Sequence, residues 1–146
     1  MKKKAVEYTI HAKKQDFSIA KIKNSQDSYN YAKQLYSDDI NIYESGFIML
    51  LNQASNIMGY AKVSQGGLSS TIIDVRLVAK YAIDVLATSV ILVHNHPSGS
   101  VLPSSYDNEL TRRIEQGLKL LNIKLLDHLI ISEDKYYSFG DEGAIY

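Results

Sequence analysis

The 146-residue chain has no cysteine and no tryptophan, and it has only two prolines. Without cysteine there is no disulfide, no thiolate nucleophile and no thiolate ligand, so any transition metal would have to be held by imidazole and carboxylate. The same absence fits a cytoplasmic protein, and that is the compartment expected. No apolar run reaches membrane-spanning length, so no membrane role is expected. The opening MKKKAVEYTIHAKKQDF begins basic, but the stretch after its lysines is too short and too polar for the apolar core of a secretory signal. Net charge is missing too. Sixteen basic residues balance sixteen acidic ones, which removes whole-molecule attraction to phosphate backbones and argues against strong nucleic-acid binding. The lysines at positions 2–4 read as a solvated tail.

What is present suffices for one substantial core: 45% of the residues are hydrophobic. Short strands are predicted over 6–10 (VEYTI) and 17–22 (FSIAKI), the latter alternating apolar and polar residues, within an N-terminal extension spanning 1–26. A helix follows in KNSQDSYNYAKQLY, with Ser25 or Asp27 as its cap. GFIMLLNQASNIMGYAKVSQGG holds two apolar runs around the turn-prone NQASN and predicts a hairpin. STIIDVRLVAKYAIDVLA puts Ile72, Val75, Val78, Ala79, Ala82, Ile83 and Leu86 on one helical stripe. SVILVHNH is a strand apolar enough to be covered on both faces. Helical spacing returns at Leu110, Ile114, Leu118 and Leu121, and IKLLDHLIIS and KYYSFG close the chain as strands around EDK. The order β-β-α-β-β-α-β-α-β-β predicts an α/β fold, a mixed sheet flanked by helices, as one domain over 1–146.

Both prolines and two of the four histidines fall in HNHPSGSVLPSSYD, residues 94–107. Residues two apart on a strand point the same way, so His94 and His96 can direct both imidazoles to one side. Pro97, Ser98 and Gly99 then turn the chain, and Pro103 leads into a helix whose first turn carries Asp107. Two histidines and a carboxylate make three ligands, which leaves the open fourth position of a catalytic Zn²⁺ site. Mn²⁺, Fe²⁺, Co²⁺ and Ni²⁺ take similar ligands. Two plainer readings stand beside this one: Ser104-x-x-Asp107 is also a helix-capping pair, and histidines at strand ends are often only hydrogen-bonded.

The stretch HNHPSGSVLPSSYDNELTRRIEQGLKLLNIKLLDHLIIS resembles the signature region of RadC-like proteins, of the JAB/MPN (JAMM) metalloprotease-type superfamily. The similarity runs from about Asp27 to Tyr146. The resemblance implies a cytidine-deaminase-like JAB/MPN domain with one zinc per chain on His94, His96 and Asp107. It makes Ser104 the motif serine and Glu44 the upstream acid, with Glu44 as proton shuttle and Ser104 as a hydrogen-bond donor to the water or the developing oxyanion. Without it, Glu44 reads as an exposed residue at a strand start. The implied activity is zinc-dependent hydrolysis of an amide bond in a peptide or isopeptide. The alternatives are a DNA-repair accessory or nucleic-acid-processing protein, and a binding module with a non-catalytic metal. Full-length RadC proteins also carry a helix-hairpin-helix-like N-terminal segment, and with only about forty residues before Glu44 none is expected here. His128, in LLDHLI, lacks metal-ligand spacing and reads as structural or as a support behind the ligands. His11 carries no signal, and the tyrosines read as sheet and surface residues.

Overall fold

GFIMLL and VILV offer no polar side chain to water, and the fold covers both faces of each. The computed structural model describes residues 4–9, 11–14, 18–68 and 72–145. In chain order its elements are α1 (Ser25–Lys33), a 3₁₀ helix (Asp38–Asn41), β1 (Ser45–Leu51), β2 (Ile57–Gln65), α2 (Val75–Asp84), β3 (Ser89–Asn95), α3 (Ser105–Lys119), β4 (Lys124–Ile131) and β5 (Tyr136–Ser138). They build a five-stranded sheet in the order β2-β1-β3-β4-β5. Only β3 and β4 run parallel; the other neighbours are antiparallel. A parallel pair needs a long crossover, and α3 supplies it.

Every residue of β1 and β3 is buried. On one face Ile48, Leu50, Val90 and Leu92 pack with Val78 and Ala82 of α2 and with Leu110, Ile114 and Leu118 of α3. On the other, Met49, Leu51, Ile91 and Val93 pack with Tyr29, Tyr31 and Ala32 of α1 and with Ile40. Each fully buried aliphatic side chain stabilises by about 1.5–3 kcal/mol, so the two clusters fix the strand faces firmly. No helix among the described residues is long and apolar enough to cross a membrane.

The mixed sheet and its flanking helices follow the predicted order from the first helix onward, but the two N-terminal strands do not form. Residues 6–9 have no strand structure, and Ile10 and Phe17 lie outside the described residues. Alternation alone did not suffice: the second segment makes only one bridge, Lys21 with Asn56, flanked by Ile22 N–H to Ser55 O and Ile57 N–H to Ala20 O. Asn24, not Ser25 or Asp27, caps α1 by accepting from Asp27 N–H, while Asp27 reaches back to Lys23 N–H. The predicted stripe of the second helix is also too long. Asp74 caps that helix, so Ile72 lies outside it and is exposed, while Leu86 sits past its end at φ 52°. Leu121 likewise follows the end of α3 and is exposed.

The parallel pair is irregular at one point. Val90 pairs with Leu125, but Ile91 pairs with Asp127, so β4 carries an extra residue, Leu126. This bulge puts Leu125 and His128, three apart, on the same face. Asp127 braces it, accepting from His128 N–H at 2.7 Å, Gly140 N–H at 2.9 Å and the Ser138 hydroxyl at 2.6 Å. Burial pushes its carboxyl above the ordinary value, against those three bonds, which favour the charged form. Asp127→Ala would strand three donors, and we expect it to lower the unfolding free energy by about 2–4 kcal/mol in urea denaturation. An unchanged midpoint would show that the bulge is held by other contacts.

Candidate metal centre

The centre starts at the exit of β3. His94 continues the α3-facing parity of Val90 and Leu92, and His96 comes two residues later. Their Nε2 atoms lie 3.1 Å apart. His96 Nδ1 donates to Ser100 O at 2.8 Å, because a carbonyl only accepts, and this turns Nε2 toward His94. The turn that makes this contact is closed by Gly99 N–H to His96 O, with Gly99 at φ +86°, a conformation that suits glycine.

Asp107 arrives from α3. Ser104 caps that helix with a reciprocal pair: its Oγ accepts from Asp107 N–H at 3.0 Å, and Asp107 Oδ2 accepts from Ser104 N–H at 2.8 Å. The capping reading of Ser104-x-x-Asp107 is therefore realised, yet the carboxylate also faces both rings. Asp107 Oδ1 is 3.1 Å from His94 Nε2, and Oδ2 is 3.2 Å from His96 Nε2. Burial alone would raise the Asp107 carboxyl, but its bonds to His94 and His96 overcome it and hold the group well below the usual carboxylate range. His96 is raised in turn, first by its bond to Asp107 and against its own burial.

Glu44 enters from the opposite side through the β1–β3 pairing, where Gly46 faces His94. It is buried, not the exposed strand-start residue that sequence alone suggests, and its Oε1 lies 3.7 Å from His96 Nε2. The backbone around it is clamped. Glu44 N–H donates to Gly67 O at 2.9 Å, and the Tyr36 hydroxyl donates to Ser45 O at 2.7 Å. Burial, followed by the Glu44 charge, pushes the Tyr36 phenol well above its ordinary value, so it acts as a neutral donor. Asn95, between the two histidines, points to the other face. Its side chain accepts from Ser45 N–H at 2.8 Å and donates to Ile40 O at 2.7 Å and Tyr43 O at 2.8 Å. Gly46 sits at a close approach: a Cβ there would lie 2.8 Å from Ile73 Cδ1 and from Ser64 Oγ, so those side chains would have to shift.

A cavity of about 490 Å³ is lined by Glu44, His94, His96, Ser104 and Asp107, so all five residues singled out in the sequence meet there. Leu68, Ile73, Pro97, Tyr106 and Leu110 form its apolar wall. Ligand atoms of Glu44, His94 and His96 all lie within 4.8 Å of one another, and this group could hold a metal ion. Sequence reasoning passed over Asn95 and Thr111, and left His128 without a definite part. His128 lies behind the centre, its Nε2 2.8 Å from His94 Nδ1, and complete burial drives its pKa well down. Thr111 had one available signal, its place four residues after Asp107 on the same helix face.

A family model described as RadC-like JAB domain matches residues 22–144. A UPF0758 protein of Flavobacterium johnsoniae is 41% identical over 125 residues, which cover 86% of this chain and 54% of that protein. The UPF0758 protein of Porphyromonas gingivalis is 47% identical over 103 residues, covering 70% and 45% respectively. That of Chlorobaculum parvum is 38% identical over 125 residues, covering 86% and 55%. The chain thus spans about half the length of these curated relatives, whose names assign no activity.

The paired shifts give the metal-free protein a pH signature. A depressed Asp107 contributes stability above its ordinary 3.8 and loses it as pH falls through the depressed value. A raised His96 contributes stability below its ordinary 6.5 and loses it as pH rises through the raised value. Both contributions coexist between 3.8 and 6.5. We therefore expect Asp107→Asn to cost more stability at about pH 5.5 than at about pH 8.5, read from urea midpoints of chelator-treated protein. Equal losses at both pH values would contradict the pairing of Asp107 with a protonated His96.

Proposed function

The chain belongs to the RadC-like JAB domain family, and from that premise we propose that it is a zinc-dependent hydrolase acting on an amide bond of a peptide or isopeptide. One observation carries the reading: His94 Nε2, His96 Nε2 and the Asp107 oxygens stand 3.1–3.2 Å apart. Donors about 2.0–2.1 Å from a tetrahedral zinc would be separated by roughly 3.3 Å, so the donor set fits the ion with little adjustment. Glu44 is assigned differently because its Oε1 stands off at 3.7 Å, although it belongs to the group able to hold a metal.

A divalent ion at these three residues would supply Lewis acidity and lower the pKa of a coordinated water to about 7. The remaining work falls to the chain itself. Glu44 accepts a proton at its carboxylate and returns it to the leaving amine nitrogen, which the clamped backbone on either side keeps within reach of the cavity. Ser104 Oγ is already an acceptor for Asp107 N–H, and its hydroxyl hydrogen turns toward the developing oxyanion. The apolar wall suits a peptide side chain beside the scissile bond. With zero net charge, DNA binding should be weak and strongly salt-sensitive, and anisotropy at two salt concentrations would check it.

The decisive comparison is between two carboxylates. Elemental analysis should find one zinc per wild-type chain. Glu44→Gln should keep that zinc while hydrolysis of a peptide-library substrate falls by about 10²–10⁴-fold, the usual scale for lost acid–base catalysis. Asp107→Asn should weaken zinc binding itself. Loss of zinc from Glu44→Gln, with retention in Asp107→Asn, would exchange the two roles and overturn this assignment.

A further inference from the structure

We infer that His128 and Thr111 are positioning residues that set which nitrogen of His94 is open to a metal, an inference that rests on the proposed metal site. The two histidines of the centre are held in different ways. His96 is anchored to a carbonyl, which admits one tautomer. His94 is anchored to another imidazole, which admits two. His94 Nδ1 faces His128 Nε2 at 2.8 Å, His128 Nδ1 faces Thr111 Oγ1 at 2.6 Å, and Thr111 Oγ1 donates to Asp107 O at 2.8 Å.

The Thr111 end of this row favours the order that leaves His94 Nε2 open, in competition with the Asp107 carboxylate, which in the metal-free chain accepts from His94 Nε2–H. A carbonyl cannot donate, so the single hydroxyl hydrogen of Thr111 goes to Asp107 O, and Thr111 Oγ1 must accept from His128 Nδ1–H. With one proton per ring, His128 Nε2 then accepts from His94 Nδ1–H, and the lone pair of His94 Nε2 faces Asp107 and His96. The reverse order starts with Thr111 donating to His128 Nδ1. It ends with a proton on His94 Nε2, aimed at Asp107 Oδ1 3.1 Å away and closed to a metal. The two orders differ by one tautomer change in each ring and one hydroxyl rotation, with no net gain or loss of protons.

Three features of the fold hold the row in place. Phe139 stacks on His128 with centroids 4.7 Å apart and planes within 7°. The β4 bulge turns His128 to the α3 face. Asp107 and Thr111 are one turn apart on α3, so the helix that delivers the carboxylate also delivers the acceptor that orients the opposing imidazole.

The test uses the full chain and zinc alone, with Kd measured by competition against a chromogenic chelator. Thr111→Val keeps the shape and removes the acceptor, and it should weaken zinc binding by about 10–100-fold, the scale seen when such outer partners are lost. Thr111→Ser should restore a value close to wild type, and thermal melts would confirm that both variants fold. Long-range ¹⁵N–¹H spectra of the zinc-loaded wild type should place the protons of His94 and His128 on Nδ1. Zinc binding by Thr111→Val as tight as wild type, or a proton on His128 Nε2 in the loaded protein, would overturn the relay alone. A folded wild type that takes up no zinc would overturn the metal-site reading and the relay together.

Discussion

A strand enclosed on both faces cannot choose its register freely, and β3 is such a strand. Each of its residues is buried, with Val90 and Leu92 committed to the α2–α3 side and Ile91 and Val93 to the α1 side. Sliding it by one residue would exchange all of these contacts at once. The polar residues at its end inherit that commitment. His94 and His96 must face α3, and Asn95 must face the segment that leads into β1. The two acids of the centre are thereby indexed to one tripeptide, Asp107 through the histidines and Glu44 through Asn95 and the Gly46–His94 pairing.

The price of this arrangement is charge in a dry place. Glu44 and Asp107 are both buried, and carboxylates removed from water are costly unless something replaces their hydration. For Asp107 the replacements are Ser104 N–H and two imidazoles; for Glu44 the His96 ring stands 3.7 Å away. The sheet makes one further concession of this kind, Asp127, whose lost hydration is replaced by three donors. Apolar packing elsewhere carries stability, while the cavity gathers groups that each need the others.

How much of this could be read beforehand depended on distance along the chain. H-x-H and S-x-x-D were legible because both sit in local elements with a known period, a strand end and a helix start. Glu44 was different: it reaches His96 only through the pairing of strands some fifty residues apart, and no spacing rule announces it. The resemblance to a family supplied it, and the structure then places it in the cavity. Asn95 was hidden between two more conspicuous residues, and its bonds go to a 3₁₀ segment with no apolar period of its own and to the residues that lead from it into β1. The N-terminal strands failed for the converse reason. Their local pattern was adequate, but a strand needs a partner, and the hairpin gave Lys21 only a single bridge.

The extra residue in β4 changes what an insertion or a deletion means there. Removing Leu126 would leave a regular strand, with nothing unpaired in its ladder and one fewer apolar side chain to cover. By the measure of sheet geometry that is an improvement. The faces would also be preserved, because Leu125 and His128 would then stand two apart and still share the α3 face. What would be lost is the side chain of Leu126 against the α1 side and the bulged backbone that Asp127 braces. A further insertion, by contrast, would turn His128 to the opposite face, so the strand tolerates losing this residue more readily than gaining another.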